Sequence, residues 1–336
     1  MRHSSINSNQ NCMSQCRGFT LVELLLVIFL LSSLALVTTL FVDNANEQYR
    51  FETTKTRLEQ IRRAIIGDSS RTLNGQPEIS GFIADMGRLP ENLQELVEPP
   101  ADEEQLWGIT DIEVGTVVVG TLNGGWRGSY LEAIQESGVS GVRAYRDGWG
   151  NPDVAGDEAN FGWVFKLKKS DNTDTTVIAE AVALTLQSLG ADGAVGQADA
   201  NNPYQADYPD DGHKVALNDW AVDLKEQAFH IQLNGTPSSS VNDLKLRLYY
   251  LENGQLKNFT SDSFEIDSVS GVVSQPVFPN EKQLLPLGMH AAVVVCNDSP
   301  NTVYNGSCPG ATQPPYYFKL LPRAYTPPMT VEWTVQ

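Results

Sequence analysis

Three groups of residues in this chain have types and spacings that bear on chemistry. The first is Glu23, the only charged residue in an apolar run at 19–42, which begins at Phe19 directly after Gly18. A carboxylate inside such a run needs a cationic partner or a route to water. The second is a set of five aspartates, Asp192, Asp199, Asp207, Asp210 and Asp211, lying between residues 190 and 213 with no Lys or Arg among them. Such a cluster repels itself unless solvent or a cation screens it, and calcium takes about 6–8 oxygens from loops of this kind. The D-x-[DN]-x-[DN]-G run of an EF-hand is absent. The third group is cysteine: Cys12 and Cys16 near the N-terminus, and Cys296 and Cys308 in a segment rich in Asn, Ser, Pro and Gly.

The elements that must position these groups begin with a helix. Residues 19–42 hold 24 residues without proline, roughly 36 Å of helix, enough to cross a hydrocarbon layer of about 30 Å. A cleavable secretory signal has a shorter apolar core with its small-residue site on the far side. Here no A-x-A site follows the run. Arg2 and Arg17 precede it with no acid, so the first residues stay on the cytoplasmic side and the rest faces the periplasm. From 43 to 67 the helix continues as an amphipathic one, with Phe51, Leu58, Ile61 and Ile65 at helical spacing and Gly67 as its stop.

The junction Gly18-Phe19-Thr20-Leu21-Val22-Glu23 and its apolar run resemble the processing site of type IV pilin precursors and of pseudopilins of type II secretion. The resemblance implies a filament subunit rather than an enzyme. A prepilin peptidase would cut after Gly18 and methylate the new amine of Phe19. Glu23 of one subunit would then pair with the Phe19 amine of its neighbour, setting axial register. The alternative reading places Glu23 at the membrane surface, snorkelling to water. Cleavage removes Arg2 and Arg17 and no acid, so the net charge of −18 becomes −20. That charge argues against nucleic acid as a partner. It would also remove Cys12 and Cys16, leaving Cys296 and Cys308 as an even pair in an oxidising compartment, where a disulfide closing so short a loop stabilises by roughly 3 kcal/mol.

Further along, Leu89-Pro90 opens a short helix carrying Leu93, Leu96 and Val97, and Asp147-Gly148-Trp149-Gly150-Asn151-Pro152 reads as a tight turn whose tryptophan anchors it to the core. The order L-P-x-x-L-x-x-L, D-x-W-G-N-P, S-L-G-A-D-G and N-D-W is similar to the major pseudopilin of type II secretion. In that family the S-L-G-A-D-G loop and the acids after it bind one calcium. Carried over by position, the ligands are the Leu189 carbonyl, Asp192, Asp210 and Asp211. The loop here is longer than the family pattern, so Asp199 or Asp207 could replace one of them, and a plain solvated loop is the competing reading.

The region after residue 222 is foreign to that family. Alternating segments at 228–233, 244–250, 256–259, 264–269, 272–278, 291–296, 316–321 and 329–335, with an Asn253-Gly254 turn, predict an antiparallel β-sandwich. The expected organisation is α+β, a pilin fold followed by that sandwich. It comprises a leader (1–18), a transmembrane half-helix (19–42), a periplasmic half-helix (43–67), a head (68–222) and an accessory domain (223–336). His213, His230 and His290 are scattered and no hydrolase, Walker or Rossmann pattern occurs. The expected role is a pseudopilin at the inner membrane, partnered by other pilin-like subunits, a prepilin peptidase and an assembly platform. The other reading is a minor type IV pilin whose sandwich serves as tip adhesin or assembly initiator.

Overall fold

The computed structural model describes residues 20–68, 70–73, 75–135, 143–196, 202–237, 240–266, 276–279, 283–298, 301–321 and 329–335. The segment expected as a strand at 272–278 lies largely outside them. Two compact units divide the chain, Met1–Tyr49 and Arg50–Gln336. A 46-residue helix, α1 (Leu21–Ile66), begins in the first unit and ends in the second. It is free of Gly and Pro, so nothing breaks it before Gly67. There φ is +84°, the Gly67 N–H donates to the Arg63 carbonyl at 2.8 Å, and a Cβ would lie 2.2 Å from the Ser80 carbonyl oxygen. Only glycine ends the helix so closely against its neighbour.

In the second unit α1 buries Leu58, Ile61 and Ile65, the apolar face expected from their spacing. The segment after Pro90 forms a 3-10 turn, Gln94–Leu96, rather than an α-helix, and Leu93, Leu96 and Val97 are buried. A five-residue helix, α2 (Phe82–Met86), precedes it. A four-stranded antiparallel sheet follows, in the order Tyr208–Val215, Ala183–Ser188, Trp163–Lys168, Asp174–Thr175. Trp163 is its core tryptophan, fully enclosed, with its indole N–H donating to the Tyr145 carbonyl at 2.8 Å.

The C-terminal region is built on Val241–Glu252, which pairs antiparallel with Gln255–Thr260, Phe264–Ile266 and Gly288–Cys296. The turn between the first two uses Asn253 and Gly254, both at positive φ (+54° and +72°), the geometry that two-residue hairpins require. Gly288–Cys296 also pairs with Tyr316–Leu320. One pairing departs from the antiparallel expectation: Phe229–Asn234 runs parallel to Met329–Thr334. Cys296 and Cys308 are joined by a disulfide with Cα atoms 5.9 Å apart.

Residues from both sides of position 222 share one buried core. Ala221–Asp223 pairs with Leu284–Pro286, the Tyr249 hydroxyl donates to the Glu113 carbonyl at 2.7 Å, and the Tyr317 hydroxyl donates to the Thr121 carbonyl at 3.0 Å.

His290 and Asp85 are both buried, and burial shifts the pKa of each. His290 is fully buried, donates from Nε2 to the Pro286 carbonyl at 2.8 Å, and has its pKa pushed down to about 4 by burial. Asp85 accepts from the Tyr130 hydroxyl at 3.0 Å and pairs with Arg127 at 3.2 Å, yet burial raises its carboxyl to about 6. The two act in opposite directions. Between pH 6.5 and 4 the unfolded chain protonates His290 and the native one does not, so stability is lost as pH falls, by up to about 3 kcal/mol. Between pH 6 and 3.8 the native chain holds a proton on Asp85 that the unfolded chain has released, so stability is gained as pH falls, by a similar amount. Asp85→Asn removes the offset. The fall in unfolding free energy from pH 6 to pH 4 should then exceed that of the wild type by about 2 kcal/mol in urea titrations. Parallel profiles for the two proteins would refute this.

Candidate functional site

At the N-terminal end, Thr20 and Glu23 form a reciprocal cap. The Thr20 N–H and hydroxyl both donate to Glu23 Oε2 at 3.0 Å, and the Glu23 N–H donates to Thr20 Oγ1 at 3.3 Å. Two of the donors left over at a helix start are thereby satisfied. The T-x-x-E spacing at Thr20 and Glu23 is the sequence signal for this box. Gly18 and Phe19 lie outside the described residues. The large hydrophobic side chains of 21–36 are all exposed, from 45 % at Val27 to 76 % at Leu21, so this stretch is apolar on every face. Its two hydroxyls turn inward: Ser32 donates to the Ile28 carbonyl at 2.7 Å and Ser33 to that of Leu30 at 2.9 Å. Among the described residues no helix is long and apolar enough to cross a membrane. The run expected to span, 19–42, starts before the described residues, and the side chains of 37–44 lie outside them.

The second site is held by Asp147, which is almost wholly buried. Its Oδ1 accepts from the backbone N–H groups of Trp149, Gly150 and Asn151 at 3.1, 2.8 and 3.2 Å. Its Oδ2 accepts from Asn151 Nδ2 at 2.8 Å and from the Ser188 hydroxyl. Asn151 Nδ2 also donates to the Gly190 carbonyl at 3.0 Å. The D-x-W-G-N-P turn is therefore a clamp on the first residues of the acidic loop. The other side of the turn receives α1: Thr54 Oγ1 accepts from the Gly148 N–H at 3.0 Å, and Arg57 Nη1 donates to the carbonyls of Arg146 and Asp147 at 2.6 and 2.9 Å. Trp149 is not the core anchor expected of it. It is half-buried with the Arg50 guanidinium 5.6 Å over its ring, because the buried positions of the turn are taken by Asp147 and Asn151.

Within the loop, Asp207 is the enclosed carboxylate, 6 % exposed. Its Oδ2 accepts from the Gly196 N–H at 2.8 Å, while its buried Oδ1 has no hydrogen-bond partner among the described residues. Burial, with the charges of Asp192 and Asp210 nearby, raises its pKa. Asp192 Oδ1 accepts from the Ala194 N–H at 3.0 Å, and the Leu189 carbonyl accepts from the Gly193 N–H at 3.2 Å. Asp210 is exposed on the strand Tyr208–Val215. Asp199 and the side chain of Asp211 lie outside the described residues. Among the described residues no group of three or more His, Cys, Asp or Glu is gathered tightly enough to hold a metal ion. The aromatic rings of Tyr204 and Tyr208 meet Phe51 of α1 edge-on at 5.8 and 5.1 Å, tying the loop to the helix.

The N-terminal helix thus combines an exposed apolar surface with a capped carboxylate. Residues 13–39 match the prokaryotic N-terminal methylation motif. The match takes in Gly18, Phe19 and Glu23 together, and it fits a pilin-like N-terminus of the prepilin-processed kind. No curated protein and no solved structure matches the chain.

Proposed function

We propose that this chain is a pseudopilin of a type II secretion filament, cut after Gly18, methylated at Phe19 and polymerised through α1 at the inner membrane. The observation that carries this reading is the methylation motif laid over the first stretch of α1, residues 21–36, which is apolar on every face and has one carboxylate, Glu23. The D-x-W-G-N-P clamp on an acidic loop favours the secretion filament over a pilus. A minor type IV pilin is favoured only by the long C-terminal β region. In the assembled state a neighbour's Phe19 amine would compete with Thr20 for the Glu23 carboxylate, exchanging a neutral cap for a charge pair in an apolar medium. Glu23→Ala should leave the head folded and remove the chain from sheared filaments. Deleting the gene should strip folded enzymes from the host's culture supernatant while pili persist. Pili lost with an unchanged supernatant would transfer the assignment to the minor pilin.

Calcium belongs to the same reading. Support comes from Asp207 Oδ1, a buried carboxylate oxygen without a hydrogen-bond partner among the described residues, with the charges of Asp192 and Asp210 nearby. The Leu189 carbonyl with Asp192, Asp210 and Asp211, Asp207 replacing one of them, would hold the ion once the loop draws in, since the described acids are not yet gathered tightly enough for it. Its charge would neutralise the loop. Calcium at a hundredfold over its Kd should raise unfolding free energy by about 3 kcal/mol, and Asp207→Asn should abolish that gain. Identical melting curves in calcium and in chelator would exclude the site.

A further inference from the structure

The chain is strongly acidic, yet its positive charge is concentrated. A cleft of about 660 Å³ is lined by Arg57, Arg63, Arg71, Arg127 and Arg146, five of the thirteen arginines in the sequence. Among the described residues two carboxylates, Asp68 and Glu132, join them in the lining. Three of the arginines are ion-paired: Arg71 with Glu78 at 3.1 Å, Arg127 with Asp85 at 3.2 Å and Arg146 with Asp153 at 2.8 Å. Arg57 donates to two backbone carbonyls, which orient its guanidinium without neutralising it. Arg63 and Arg71 are exposed at the rim. A volume of this size accommodates a few residues of a peptide.

The complementary charge lies elsewhere on the same chain. Between Arg88 and Arg127 there are eight acids and no Lys or Arg. Asp102, Glu103 and Glu104 stand consecutively and exposed on the 3-10 turn Glu103–Gln105. This turn is pre-shaped: Pro99 and Pro100 stiffen the approach, and Asp102 Oδ1 accepts the Glu104 N–H at 3.0 Å. No residue from 89–126 lines the cleft, so the chain does not fill it with its own turn.

We propose that the arginine cleft of one copy receives the Asp102–Glu103–Glu104 turn of a second copy. The proposal rests on the filament reading above and adds to it a contact between heads. A filament needs a repeating contact, so each cleft takes the turn of the next copy head-to-tail, and where the rotation does not close into a ring the repeat is an open helical array. Arginine suits the cleft, since its fork binds carboxylates through paired charge-assisted hydrogen bonds. The rim pairs are exposed and salt weakens them, with a screening length of about 8 Å at physiological ionic strength.

The test uses the full chain in membranes and in sheared filaments. One copy carries Ser129→Cys at the exposed cleft rim and the other carries Ala101→Cys beside the acidic turn. Oxidation should give a covalent dimer only when both are present. Arg63→Glu with Arg71→Glu in the cleft copy should lower that yield at least tenfold, and Asp102→Arg with Glu103→Arg in the partner copy should restore it. In an otherwise unaltered chain, Ser129→Glu adds a carboxylate at the rim and removes no arginine, and it should weaken head association in the same direction. Filaments that assemble without the cross-link, or a cross-link indifferent to charge reversal, would overturn the docking and leave the filament reading standing. A cross-link in membranes with no filament at all would sink the filament reading instead. Charge reversal that weakens filaments while residue 101 never cross-links would also overturn the docking, and would assign the cleft to another acidic subunit or to anionic lipid.

Discussion

Asp147→Ala is expected to lower the unfolding free energy by about 4 kcal/mol, the high end for a single substitution. The carboxylate accepts three backbone N–H groups, Asn151 Nδ2 and the Ser188 hydroxyl in a site closed to water. Each bond to a charged acceptor is worth roughly 1.5–3 kcal/mol, and the donors left behind carry their own desolvation cost. The sum is not additive, since the turn relaxes and water enters. The loss should spread in two directions, because the clamp holds Ser188 and Gly190 on one side and receives α1 through Gly148 on the other. Asp153→Ala is the comparison: it breaks a partly exposed ion pair with Arg146 and should cost no more than about 1 kcal/mol. Equal losses for the two in urea denaturation would show that the buried clamp is not what stabilises the turn.

Gly87→Ala should be of similar size, about 3–4 kcal/mol. Gly87 ends α2 with φ at +75°, its N–H donating to the Ile83 carbonyl at 2.7 Å. A Cβ there would sit 1.8 Å from the carbonyl oxygen of Leu251, which is backbone of the central C-terminal strand and cannot swing aside. Gly75 separates the two costs. Its φ is +79°, but nothing lies within 4 Å of the added carbon, so Gly75→Ala should cost only the backbone term, about 1 kcal/mol. A Gly87→Ala protein as stable as Gly75→Ala would mean that α2 and the strand carrying Leu251 can separate at little cost. The positions on either side of 222 would then be far less tightly joined than their shared core implies.

What could be read from the sequence was local. The run of α1 and its stop at Gly67 follow from the absence of Gly and Pro before a residue that tolerates positive φ. The face of Leu58, Ile61 and Ile65 follows from helical spacing, and the Asn253-Gly254 hairpin from the backbone angles its turn demands. The Thr20–Glu23 cap was equally local and equally legible, since its two members are three residues apart. What the tertiary structure decided was every partner brought from a distance. Phe229–Asn234 pairs with a strand nearly a hundred residues later, and in parallel, which no alternation pattern encodes. Among five aspartates of one loop, burial selects Asp207, because the fold and not the spacing determines which carboxylate loses its water. The arginine cleft gathers side chains from residues 57 to 146 into one concavity. The physical reason is the same in each case. Helix, turn and cap energies depend on neighbours a few residues away, whereas burial and charge proximity depend on which surfaces the chain folds together.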